Sequence, residues 1–146
     1  MPTRVVNSLV ATTGQFRNKL SVHGQSYCDI HPLFTIPNED LICVTRKYPE
    51  TYQAVRIVPL AKFHCEAPFE HFEYVLRQLF VNHCKPVVKA IESVGAGGDV
   101  LVNRAKVNPK KIVRELTVDE FAAITNQFSK WENKPYIDDA DIVTSI

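Results

Sequence analysis

Apolar positions along this chain follow two different periods. Between residues 27 and 60 they alternate or run in short blocks, and beyond residue 68 they recur at three- and four-residue steps. The first segment, 4–11 (RVVNSLVA), predicts a helix that Thr12-Thr13-Gly14 ends with β-branched residues and a glycine. A second short helix is read over 20–26. Segments 27–30 and 33–36, bounded by Pro32 and Pro37, predict strands, and an apolar run at 41–45 follows. The alternation of 52–60 (YQAVRIVPL) predicts the clearest strand, closing at Pro59.

The period then switches. Phe69, Phe72, Leu76, Leu79 and Phe80 share one helical face, with Glu70, Glu73, Arg77 and Gln78 mostly off it. Proline is tolerated in a first turn, so this helix is expected to start near Pro68 and to stop before Pro86. A shorter helix is expected over 87–94. Thr117-Val118-Asp119-Glu120 spells a capping box: the Thr hydroxyl accepts from the Glu120 amide, and the Glu carboxylate reaches back to the Thr117 amide. Phe121, Ile124, Phe128 and Trp131 continue from it as an apolar stripe that reads as core. Strands first and helices afterwards make an α+β succession with a boundary between Pro59 and Pro68.

Composition narrows the function classes. Seventeen Lys and Arg balance sixteen Asp and Glu, so the net charge of +1 marks neither a polyanion binder nor an acidic scaffold, and any contact with a nucleic acid has to come from local patches. The four cysteines contain no C-x-x-C pair, and they read as reduced thiols without a structural zinc. No stretch approaches the roughly 20 apolar residues of a membrane-spanning helix, so no membrane partner is expected. His23, His31, His64, His71 and His83 form no H-x-x-x-H or H-E-x-x-H pair, so no metal site is expected. The cluster Gly95-Ala96-Gly97-Gly98 lacks a preceding apolar strand, a G-x-G-x-x-G spacing and a Lys-Ser/Thr sequel, and is read as a flexible helix connection rather than a phosphate loop.

The wording of the chain goes further than its periods. Lys19-Leu20-Ser21-Val22, then Gln25, Tyr27 and Asp29, then Leu33-Phe34-Thr35-Ile36-Pro37, resembles a run that follows the catalytic motif in rRNA adenine dimethyltransferases. Ala54-Val55-Arg56-Ile57-Val58-Pro59 is similar to the last strand of that family's catalytic domain. The stretch 69–89 is similar to the first helix of its C-terminal domain, and Val107-Asn108-Pro109 with 116–122 to its closing helical section. The matches run in order over about residues 5–131, and Leu-Phe-Thr-Ile-Pro resembles bacterial and mitochondrial members, including the mitochondrial transcription factor B-like branch.

The resemblance implies the C-terminal remnant of a Rossmann-like methyltransferase sheet over 1–62, lacking its cofactor-binding half, then a small all-helical domain over 63–131 and a flexible tail over 132–146. Members transfer two methyl groups from S-adenosylmethionine to the N6 of adjacent adenines in small-subunit rRNA, which takes an extruded base and a fixed cofactor. Their Gly-rich turn, ribose-binding acid and N-x-P-Y/F loop lie upstream of the Leu-Ser-Val segment and would precede Met1. Asn133-Lys134-Pro135-Tyr136 spells the same loop, but it follows a helix in the wrong chain order and reads as a tail turn.

The chain alone is therefore expected to bind no S-adenosylmethionine and to have no catalytic residues of its own; whether it counts as an enzyme stays open. The implied partner is small-subunit rRNA or a ribosomal subunit precursor, with a further partner covering the exposed sheet edge. The implied location is mitochondrial, or cytoplasmic for a bacterial-type member. The residues assigned to RNA are Arg17, Lys19, Arg77, Lys85, Lys89, Lys110, Lys111 and Arg114, with Lys106 among the basic positions of the last stretch. Each of them singly also suits a solvated face. Asn82-His83-Cys84 and Ile112-Val113 replace positions where the family commonly shows arginine, which lowers the charge of this surface. The alternative is a non-catalytic RNA-binding factor of mitochondrial transcription or ribosome assembly.

Overall fold

The apolar face of the long helix α3 (Phe69–Val81) organises the molecule, because Phe72, Val75, Leu76 and Leu79 are all fully buried. In this computed structural model, which describes residues 1–41 and 51–137, α3 packs against α6 (Val118–Ser129), whose Phe121, Ile124 and Phe128 are buried as the stripe predicts. Trp131, just beyond α6, is also buried. Both Thr117 hydrogen bonds of the capping box form, from the Glu120 amide at 3.2 Å and to the Glu120 carboxylate at 3.1 Å.

Two elements precede the sheet, α1 (Thr3–Val10) and α2 (Lys19–Tyr27). Asn18 caps α2 through the Ser21 amide at 3.2 Å while Ser21 Oγ accepts from the Asn18 amide at 3.0 Å. Val22 of α2 is fully buried in the same cluster as α3 and α6, so the first part of the chain shares a core with the last.

Strands β1 (Cys28–Ile36) and β2 (Tyr52–Pro59) pair antiparallel, with Cys28 opposite Pro59 and Ile36 opposite Tyr52. The sequence divides β1 at Pro32, whereas the structure carries one strand through it. A register shift between Pro32 and Phe34 accommodates the ring, which is where a sheet tolerates a residue without an amide hydrogen. Tyr52 is flanked on its other side by Pro2, and Met1 and Gln53 exchange hydrogen bonds of 3.0 and 2.8 Å. Leu33, Phe34, Ile57 and Val58 are all exposed along this pair. The apolar run expected at 41–45 lies, after Leu41, outside the described residues.

The helix expected over 87–94 is shorter. It comprises α4 (Val87–Ala90) followed by a 3₁₀ turn, Ile91–Ser93. The glycine cluster then makes a close-packed turn into α5 (Asp99–Arg104), because a side chain on Gly98 would meet the Ile91 carbonyl at 2.7 Å. On α3, Glu73 is buried, although its period places it on the solvent side, and Phe69 is exposed.

A candidate nucleic-acid interface

Two basic segments that stand apart in sequence lie side by side in the fold. The Val113 amide donates to the Lys85 carbonyl at 3.1 Å, Arg114 to His83 at 3.2 Å, Val87 to Lys111 at 2.8 Å and Val88 to Pro109 at 3.2 Å. Pro86 and Ile112 form the bridge at the centre of this ladder. Val87 and Val113 are buried and anchor the two segments to the core, which leaves Lys85, Lys89 and Lys110 exposed. Neither 83–89 nor 106–114 contains an acidic residue, so the ladder brings Lys85, Lys110, Lys111 and Arg114 onto adjoining segments without an internal counter-charge, with Lys89 and Lys106 flanking it in sequence.

Not every assigned cation is equally available. Lys111 Nζ donates to Glu120 Oε1 at 2.6 Å, and the same carboxylate closes the Thr117 capping box. Burial works to raise the Glu120 pKa, but the hydrogen bonds from Lys111 and Thr117 outweigh it and hold the carboxyl below its ordinary range. Arg114 is half-buried, and Arg77 lies on α3 with its guanidinium carbon 5.8 Å from the centre of the Tyr74 ring.

Arg17 is corrected by its surroundings. It is 3% exposed, so its guanidinium has no path to a phosphate. Nη1 donates to the Ala11 carbonyl at 2.6 Å and to Gln25 Oε1 at 3.2 Å, while Nη2 donates to the Leu116 carbonyl at 3.0 Å. The Phe121 ring centre is 6.0 Å from its guanidinium carbon. Burial pulls its pKa down from the ordinary arginine value. Lys19 is likewise engaged at the α2–α3 junction, where its ammonium is 2.6 Å from Glu73 Oε1.

The other oxygen of Glu73 lies 2.6 Å from His23 Nε2, inside a setting made by Tyr27, Phe69 and Phe72. Burial dominates His23 and lowers its pKa, the hydrogen bond and charge of Glu73 oppose that, and Lys19 adds to it; the net direction is down. His71, 2.6 Å from Ser129 Oγ, is lowered too, first by burial and then by Lys134. A histidine with a depressed native pKa stays neutral when folded but takes up a proton when unfolded near pH ~6.5, so stability is full above that value and falls as pH drops below it. The urea midpoint is therefore expected to be lower at about pH 5.5 than at about pH 7.5, with a smaller difference in His23→Gln. A flat midpoint across that range would contradict the neutral, buried imidazole.

Among the described residues, no group of three or more His, Cys, Asp or Glu is placed to hold a metal ion. Cys28, Cys65 and Cys84 are free thiols, and burial raises that of Cys65. Asn133-Lys134-Pro135-Tyr136 follows α6 as a turn, with the Lys134 amide on the Trp131 carbonyl at 3.3 Å and Tyr136 standing 92% exposed. A cofactor cradle needs a glycine turn after a strand, and the glycines of 95–98 instead follow a 3₁₀ turn, with Gly95 packed on Trp131.

The family model for ribosomal RNA adenine dimethylase matches residues 1–130. The chain is 27% identical over 133 residues to dimethyladenosine transferase 1, mitochondrial, of Vermamoeba vermiformis, covering 90% of this chain and 38% of that protein. It is 28% identical to the Homo sapiens protein of the same name, over 86% of this chain and 38% of that one. It is also 25% identical to mitochondrial transcription factor 1 of Saccharomyces cerevisiae, over 94% of this chain and 46% of that one. A dimethyladenosine transferase structure from Plasmodium falciparum shares the fold, with a TM-score of 0.73 at 12% identity, over 93% of this chain and 58% of that one. The chain thus spans less than half the length of these three curated relatives.

Proposed function

Because the chain belongs to the ribosomal RNA adenine dimethylase family, we propose that it is the RNA-facing C-terminal portion of an S-adenosylmethionine-dependent rRNA adenine-N6,N6-dimethyltransferase acting on small-subunit rRNA. The observation that carries this reading is the backbone ladder between 83–88 and 109–114, which sets the exposed Lys85 and Lys110 on adjoining segments, with the exposed Lys89 next to it. In this reading, 1–62 contribute to a Rossmann-like methyltransferase sheet, 63–131 form a small helical domain and 132–146 a tail. The mitochondrial names of the relatives support a mitochondrial location.

The isolated chain then retains small-subunit rRNA in a salt-dependent manner and binds no S-adenosylmethionine. Binding of labelled S-adenosylmethionine to the purified chain tests the second half directly. Saturable micromolar binding would overturn it. The similarity to mitochondrial transcription factor 1 over 94% of the chain supports a second reading, a non-catalytic RNA-binding factor. Methyl transfer to small-subunit rRNA by the protein purified from its native source separates the two: dimethylated adenine favours the enzyme, and RNA retention without it favours the factor.

The exposed Leu33, Phe34, Ile57 and Val58 support a partner that covers the β1–β2 pair. Without it, the purified chain is expected to self-associate with rising concentration. Phe34→Lys with Ile57→Lys is expected to return it to a monomer in sedimentation velocity, and a wild-type monomer at all concentrations would remove the case for that partner.

A further inference from the structure

Lys106 carries a backbone conformation that ordinarily selects glycine. Its φ is +57°, and it stands alone among the described non-glycine residues in that region. The reason is the way α5 ends. The Lys106 amide donates to the Asn103 carbonyl at 3.1 Å and the Val107 amide to the Val102 carbonyl at 3.2 Å, the paired bonds of a Schellman motif with Ala105 as its C-cap. Val102 and Val107, the two residues that this motif brings into apolar contact, are both buried. The position where a side chain is least favourable therefore holds a lysine, in a chain that uses glycine at two other positive-φ turns, Gly14 and Gly97.

Helix-dipole compensation accounts poorly for this choice. The helix α5 has six residues, and Arg104 already supplies a cation in its last turn. The amides of 105–107 are all spent on carbonyls of α5, so the turn itself offers no anion-binding nest. What Lys106 adds is an exposed ammonium at the entrance to the basic ladder. Asn108 continues the turn by accepting from the Lys110 amide at 3.0 Å, which sets Lys110 and Lys111 immediately after it.

We propose that Lys106 is a phosphate-contacting residue of the basic surface, placing its charge there from a left-handed conformation that strains the helix terminus. This rests on the RNA-facing reading above. Backbone strain that persists at a position where glycine would relieve it points to function.

The test compares Lys106→Gly, Lys106→Arg and Lys85→Glu/Lys89→Glu in the complete chain, reading the urea midpoint and the affinity for a labelled small-subunit rRNA hairpin across a salt series. Lys106→Gly is expected to raise the urea midpoint while weakening RNA binding about fivefold and reducing the salt slope by about one. Lys106→Arg keeps both wild-type values. A stabilised Lys106→Gly with unchanged affinity and slope makes Lys106 a helix terminus only, and a lowered midpoint removes the strain argument; either overturns the proposal. If the Lys85/Lys89 variant loses RNA while Lys106→Gly does not, the proposal fails and the RNA-facing reading stands. If neither variant changes RNA binding, that reading fails with it.

Discussion

Arg17→Ala is expected to destabilise the chain by about 3 kcal/mol in urea unfolding, within the range for breaking a buried polar network. The loss has two sources. Removing the guanidinium leaves the Leu116 carbonyl and Gln25 Oε1 without their donor, whereas the Ala11 carbonyl keeps the Gln25 amide at 2.9 Å. It also empties the space beside the Phe121 ring. Among the described residues no carboxylate bonds Arg17, so the deletion frees no buried anion, and the cost is that of unpaired acceptors and lost packing. Arg17→Lys should rescue little, because one ammonium lacks the planar fork that spans Ala11, Gln25 and Leu116. A stability unchanged within about 0.5 kcal/mol, accompanied by weaker RNA binding, would return Arg17 to the surface role that its residue type suggests.

Arg17 marks where sequence reasoning runs out. Local signals carried α3, α6 and β2, since a 3.6-residue stripe, a Thr117–Glu120 capping box and a two-residue alternation are written in contiguous residues. The β1 strand was harder, because Pro32 reads as a stop and the bulge that admits it depends on the partner strand. The six-residue α5, beginning directly after a glycine cluster, is too short to show a period. The candidate surface depends on contacts between residues more than twenty positions apart, Lys85 with Val113 among them, and no spacing rule announces those. Basic residue type named the candidates and took in the buried Arg17 with them, because an arginine that satisfies backbone carbonyls inside a fold looks the same in one dimension as one on the surface. The family, by contrast, was legible from the order of its words, and the matched residues 1–130 bear it out.

The surface itself is tested by Lys85→Glu/Lys89→Glu, which is expected to weaken binding to small-subunit rRNA about a hundredfold at low salt, an order of magnitude for each reversed charge. Both side chains are exposed and neither is ion-paired among the described residues, so the fold should be kept and the urea midpoint should move by no more than about 0.5 kcal/mol equivalent. The slope of log affinity against log salt should fall by about two, because two phosphate contacts no longer release their counterions. Lys111→Glu makes the informative contrast. Its wild-type ammonium is held by Glu120 at 2.6 Å, so reversal places two carboxylates together at the start of α6 and should cost stability as well as affinity. Loss of RNA binding in the Lys85/Lys89 variant with an intact midpoint assigns the surface to RNA, and wild-type affinity with a wild-type slope rejects it.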